Sequence, residues 1–187
     1  MINIKSAGRP RIGSHEMFYI EPVNYYICGT IGSGKTQIVK KWLEKLSEKN
    51  GILLEYEGNS NVIRADFGIN RPIGKTKVII YEDFDPRKDN ICYYGIPKFN
   101  EMLISTIFVS RDNLKETTYK VKRMIKEFNF KVIDMDQEKK KNETLEQTVN
   151  RVLSDMEYPY FGLFTKKVIN ELLEKKEKRP KMPNYDN

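Results

Sequence analysis

Histidine is nearly absent from this chain: His15 is the only one in 187 residues. Neither a histidine-based catalytic triad nor a multi-histidine metal site is therefore expected. Cysteine is almost as scarce. Cys28 and Cys92 follow no metal-ligand spacing, so reduced thiols in an intracellular compartment are the default. Long apolar runs are missing as well. None approaches the ~18 residues of a membrane helix, and no apolar block like that of a secretory signal follows the N-terminus. A cytoplasmic protein with no membrane partner is expected. No internal repeat is found.

What is present is charge and alternation. The net charge is +7, much of it in three places: an N-terminal arm (Lys5, Arg9, Arg11), the run Lys139-Lys140-Lys141, and a tail from Lys175 to Lys181. That pattern suits an anionic partner such as nucleic acid, and it equally suits a solvated lysine-rich surface. Gly8-Arg9-Pro10-Arg11 looks like the core of a minor-groove hook, although one short copy reads better as part of a flexible basic arm. The organisation expected is a basic arm over 1–16, one domain over 17–176, and a tail over 177–187.

The most specific stretch is Gly29-Thr30-Ile31-Gly32-Ser33-Gly34-Lys35-Thr36, which fits G-x-x-x-x-G-K-[ST] at every fixed position. An apolar strand (Val23 to Cys28) leads into it. An amphipathic helix leaves it, with Ile38, Val39, Trp42, Leu43 and Leu46 on one face. Backbone N–H groups in such a turn, together with the helix dipole, form an anion cradle. Lys35 would sit on the outer phosphates of a nucleotide, and the Thr36 hydroxyl would hold Mg²⁺.

A second signal is Lys77-Val78-Ile79-Ile80-Tyr81-Glu82-Asp83-Phe84-Asp85, an apolar strand ending in adjacent acids. Carboxylates at a buried strand end need a partner, and a metal ion would supply it. Glu82 is assigned to the Mg²⁺ shell and Asp83 to water activation. The two roles are exchangeable, and Asp85 is a spare. A third strand, Ile104 to Ser110, runs into Arg111-Asp112-Asn113. Ser110, Arg111 and Asn113 are candidate γ-phosphate sensors, and Asp112 reads as a helix N-cap.

Other expected strands are Phe18 to Glu21, Ile52 to Tyr56, a short piece at Val62-Ile63, and Phe130 to Asp136. Helices are expected over Pro97 to Leu103, Lys115 to Phe128, Thr144 to Met156 and Thr165 to Lys176. Arg64, Asp66 and Arg71 lie in a connection and are read as solvated. The alternation predicts a three-layer α/β/α domain with a mainly parallel, roughly five-stranded sheet.

From Tyr25 to Asp136 these residues resemble the P-loop NTPases. The pairing of Gly29–Thr36 with Ile79-Ile80-Tyr81-Glu82-Asp83-Phe84 looks most like small viral and plasmid ATPases, either superfamily 3 helicase domains or genome-packaging ATPases. That resemblance implies a Mg²⁺-dependent ATPase coupled to nucleic-acid handling, with a polar sensor after the third strand (Asn113 is the nearest Asn). It also implies an arginine that completes a neighbour's site in a homo-oligomeric ring, for which Arg123 or Arg151 is available. The span between Asp83 and Ser110 is short for a helicase DNA-contacting hairpin, and the Asn lies past the strand end. Nucleoside, nucleotide or polynucleotide kinases share the loop and are the competing class. An ATP-sensing binding module is the third. Strand order separates the first two, because the motors insert an extra strand between the loop strand and the acidic strand.

Overall fold

The computed structural model describes residues 3–8, 16–65, 74–85 and 95–177. The Arg9-Pro10-Arg11 segment, His15, Asp66, Arg71, Cys92 and residues 178–187 lie outside them. The chain opens with strands β1 (Ile4–Gly8) and β2 (Met17–Ile20), then β3 (Tyr25–Cys28) and helix α1 (Lys35–Asn50). Strands β4 (Val62–Ala65) and β5 (Val78–Phe84) follow, then α2 (Gly95–Glu101), β6 (Ser105–Ser110) and α3 (Tyr119–Glu127). The remainder is β7 (Lys131–Asp134), a single turn α4 (Met135–Glu138), α5 (Leu145–Asp155), β8 (Phe164–Thr165) and α6 (Lys166–Glu177).

Five strands form one parallel sheet in the order β4-β5-β6-β3-β7. Alternation along each strand sends side chains to two cores. Tyr25, Ile27, Val78 and Ile80 meet α1 and α5 on one face. Tyr26, Cys28, Ile79 and Tyr81 meet α2 and α3 on the other. Helices on both faces of a parallel sheet make the chain an α/β protein of three-layer type. Among the described residues no helix is long and apolar enough to cross a membrane.

The α1 stripe packs as its spacing requires: Ile38, Val39, Trp42, Leu43 and Leu46 are all buried. Trp42 meets Tyr25 edge-on at 5.9 Å and stacks on Tyr158 at 6.4 Å. Its indole N–H donates to the Glu157 carbonyl at 2.9 Å, and the Glu157 N–H donates to Tyr25 Oη at 2.7 Å. A large aromatic truncated here costs about 3–5 kcal/mol. Gly51 ends α1 in the left-handed region, donating to Ser47 O at 2.8 Å.

Four expectations are corrected. Ile4–Gly8, read as part of a flexible arm, is a strand paired antiparallel with β2, which pairs in turn with β8. Residues 52–56 form no strand. There Leu54 N–H donates to Ser47 Oγ at 3.0 Å, and Leu53 O accepts from Asn59 and Asn61 side chains, so side chains replace a ladder. Helix α3 starts at Tyr119 rather than Lys115. Asn113 Oδ1 holds the Lys115 and Glu116 N–H groups in a turn, and Thr118 is the N-cap. Strand β7 stops at Asp134 because its carboxylate accepts from Asp136 and Gln137 N–H, which starts α4.

Arg151 on α5 is fixed within its own chain. It donates to Glu143 Oε1 at 3.0 Å, Glu143 Oε2 at 2.9 Å and Glu138 Oε2 at 2.9 Å. Hydrogen bonding from Arg151 lowers the Glu143 pKa from 4.5 to about 2. The folded state thus binds this proton more weakly than the unfolded chain does. The resulting stabilisation is present above pH 4.5 and is lost as pH falls to about 2. Urea midpoints of wild type and Glu143→Gln should therefore differ above pH 4.5 and converge near pH 2. A gap that stays constant across this window would contradict the pairing.

Candidate functional site

The parallel register sets the strand ends level with one another. Cys28 at the end of β3 pairs with Ser110 of β6 on one side and Asp134 of β7 on the other. Phe84 of β5 is also level with Ser110. The segments leaving these ends, 29–36, 111–117 and 135–138, therefore share one edge of the sheet, where ligands of parallel α/β sheets bind.

The 29–36 loop is closed tightly. Gly34 is the N-cap of α1 at φ 96°, and a Cβ there would meet Leu145 Cδ1 at 3.0 Å and Val149 Cγ2 at 3.2 Å. At Gly29 (φ 150°), a Cβ would lie 2.6 Å from Ser33 Oγ. Among the described residues Ser33 Oγ is buried without a hydrogen-bond partner. Thr30, Ile31, Gly32 and Thr36 are exposed, so the first turn of α1 opens to solvent. Exposed N–H groups at a helix start favour an anion.

Lys35 turns back on the loop, donating to Gly29 O at 2.6 Å and Thr30 O at 2.7 Å. Burial lowers its pKa. Asp136 opposes that most, Arg111 adds to the lowering, and Cys28 and Asp83 raise it. Lys35, Asp136, Arg111 and Asp83 are thus electrostatic neighbours. Burial pushes the Cys28 thiol up to about 12, with help from Asp134 and Asp136, which makes it an inert core group.

The acidic strand end is bent. Tyr81 pairs with Phe108 and Phe84 with Ser110, so β5 spans three residue steps where β6 spans two. The extra residue is a bulge, with Asp83 left-handed at φ 49° and exposed. A non-glycine residue held there costs about 1–2 kcal/mol, and bulges re-aim side chains beside functional sites. Glu82 is half-buried at the start of this bulge. Arg64 is exposed, as expected, and there it also ion-pairs with Glu82 Oε2, reaches Glu57 at 3.3 Å and covers the Tyr56 ring at 4.8 Å.

Two of the three sensor candidates are occupied structurally. Ser110 Oγ donates to Phe84 O at 2.8 Å, locking β6 to β5, and accepts from Asp112 N–H at 3.1 Å. Asn113 Oδ1 caps the 113–117 turn, the role expected of Asp112. Arg111 is exposed beside Lys35. Arg123 pairs with Glu127 on its own helix at 2.6 Å, and Arg151 is committed to Glu138 and Glu143.

The residue missed by sequence reasoning is Asp136. Its Oδ2 accepts from Thr30 N–H and its Oδ1 from Thr30 Oγ1, both at 2.8 Å. Reading 130–136 as one strand hid it. The turn set by Asp134 is what swings it onto the loop.

Compared with protein-family models, curated proteins and solved structures, the chain matches none.

Gly34→Ala tests the loop geometry. Left-handed strain plus the clash with Leu145 and Val149 should destabilise by about 2 kcal/mol or more, lowering Tm by about 4–8 °C. An unchanged melting curve would contradict this backbone.

Proposed function

We propose that this chain is a P-loop NTPase that hydrolyses ATP with Mg²⁺ and couples the reaction to nucleic-acid handling. The observation that carries the reading is the strand order, in which β6 lies between the loop strand β3 and the acidic strand β5. This is the insertion tied by resemblance to hydrolysing motors, and it favours hydrolysis over the kinase alternative.

The residues present fit a triphosphate and its metal. Ile31, Gly32 and Thr36 are exposed around the start of α1, and two glycine positions leave no space for a Cβ. Thr36 and Glu82 would hold Mg²⁺, which neutralises charge on the outer phosphates when bound. Magnesium typically takes one or two carboxylates plus phosphate oxygens. A site of that kind does not need a cluster of three His, Cys, Asp or Glu ligands, which is lacking among the described residues.

Lys35 would exchange the Gly29 and Thr30 carbonyls for phosphate oxygens, trading neutral acceptors for charged ones. Glu82 would share its carboxylate between the metal and Arg64. Asp83, exposed at the bulge, would accept the proton of a water as its oxygen bonds to the γ-phosphorus. The bond from that phosphorus to the bridging oxygen then breaks, and ADP carries away the electron pair. Arg111, an exposed electrostatic neighbour of Lys35, would meet charge developing on the γ-phosphate.

With purified protein, Lys35→Ala should abolish both nucleotide binding and phosphate release. Asp83→Asn should keep binding while hydrolysis falls about 10²–10⁴-fold. Full activity in Asp83→Asn would overturn the role given to Asp83.

A further inference from the structure

Helix α3 buries Val121 and Met124 completely against the sheet. Its outer face carries Tyr119, Lys122, Arg123 and Lys126, spaced i, i+3, i+4 and i+7, which places them along a single stripe. All four are exposed, and Tyr119 is 79% exposed at the first helical position. Lys115 and Lys120 flank the stripe, with Glu116 and Glu127 the acids beside it.

A solvated helix face accounts for the lysines, and to them the stripe adds a large exposed ring. A tyrosine has a large apolar ring, and here it stands in water at the head of a basic row. We propose that this stripe is the surface on which the protein holds a single-stranded nucleic acid, with Tyr119 stacking on a base and Lys122 and Lys126 on backbone phosphates. The proposal deepens the nucleic-acid part of the function proposed above and rests on it.

Three features select this partner. Stacking on one exposed ring needs an unpaired base, which favours a single strand over a duplex. A membrane surface requires an apolar helix face free to insert, whereas the apolar face of α3 is spent in the core. The run Lys139-Lys140-Lys141 is basic too, but it carries no aromatic residue. The position of the stripe suits coupling. The segment begins at Arg111, whose charge is felt by Lys35, and is anchored by the Tyr26 hydroxyl donating to Asp112 O at 2.7 Å.

The test is binding of a labelled oligothymidylate, longer than the ~4–16 nucleotides one small fold covers, measured without ATP over a salt series. Lys122→Gln with Lys126→Gln should flatten the log–log salt slope by about 1.4, or ~0.7 per phosphate contact. Tyr119→Ala should weaken binding about 5- to 150-fold with the slope unchanged, and Tyr119→Phe should bind as wild type. Glutamines at 139–141 should leave binding by the α3 stripe intact. The proposal is overturned if the lysine pair leaves the slope unchanged, or if Tyr119→Ala and Tyr119→Phe bind equally. Equal loss on a duplex, or preference for anionic vesicles or an acidic peptide, also overturns it. Basal ATP hydrolysis is followed in the same variants and should be unaffected. A wild type that binds the oligonucleotide through these residues yet hydrolyses no ATP would support this surface and overturn the hydrolytic reading.

Discussion

The structure depends on the double pairing of β3. Four consecutive residues, Tyr25 to Cys28, are hydrogen-bonded into β6 on one side and β7 on the other, and are buried on both faces. That register fixes where the 29–36 loop leaves the sheet. It also fixes what the loop meets: Arg111 from the β6 side and Asp136 from the β7 side. Gly29 N–H donating to Ser110 O at 3.2 Å continues the tie one residue past the strand. Trp42, wedged between Tyr25 and Tyr158, holds α1 to the same strand from below.

Lys35 sits at the focus of the charges this register assembles. Its ammonium rests on two loop carbonyls, and the Thr30 peptide is held on its other side by Asp136. Such an arrangement keeps a partly buried cation satisfied by neutral acceptors. The acidic side is less symmetric. Glu82 is already ion-paired with Arg64, whereas Asp83 is exposed at the bulge. The two neighbouring carboxylates therefore have different environments, and this supports giving them different roles.

Much of this was legible in the sequence wherever the signal is local. The loop, the α1 stripe and the two apolar strands 78–84 and 105–110 declare themselves through spacing within a few residues. Long-range substitutions for regular structure were not legible. The Thr30–Asp136 clamp spans 106 positions, and a one-residue bulge at Asp83 leaves no trace in composition. Strand β1 carries no buried side chain and no alternation to announce it, because its pairing with β2 alone makes it a strand. Residues 52–56 fail in the opposite sense: their apolar content promised a strand, but Ser47, Asn59 and Asn61 took the backbone groups first. Arg64 is exposed as expected, but its ion pair with Glu82 was not legible because that partner lies on a neighbouring strand.

The proposed function requires the sheet edge around Lys35 and Asp83 to direct the γ-phosphoryl group to water. Turnover of MgATP in heavy-oxygen water tests it most directly, with mass analysis of the phosphate formed. The account predicts inorganic phosphate carrying one oxygen from the solvent. Phosphate that appears only on an added nucleoside, nucleotide or polynucleotide end, with no solvent oxygen incorporated, would contradict it.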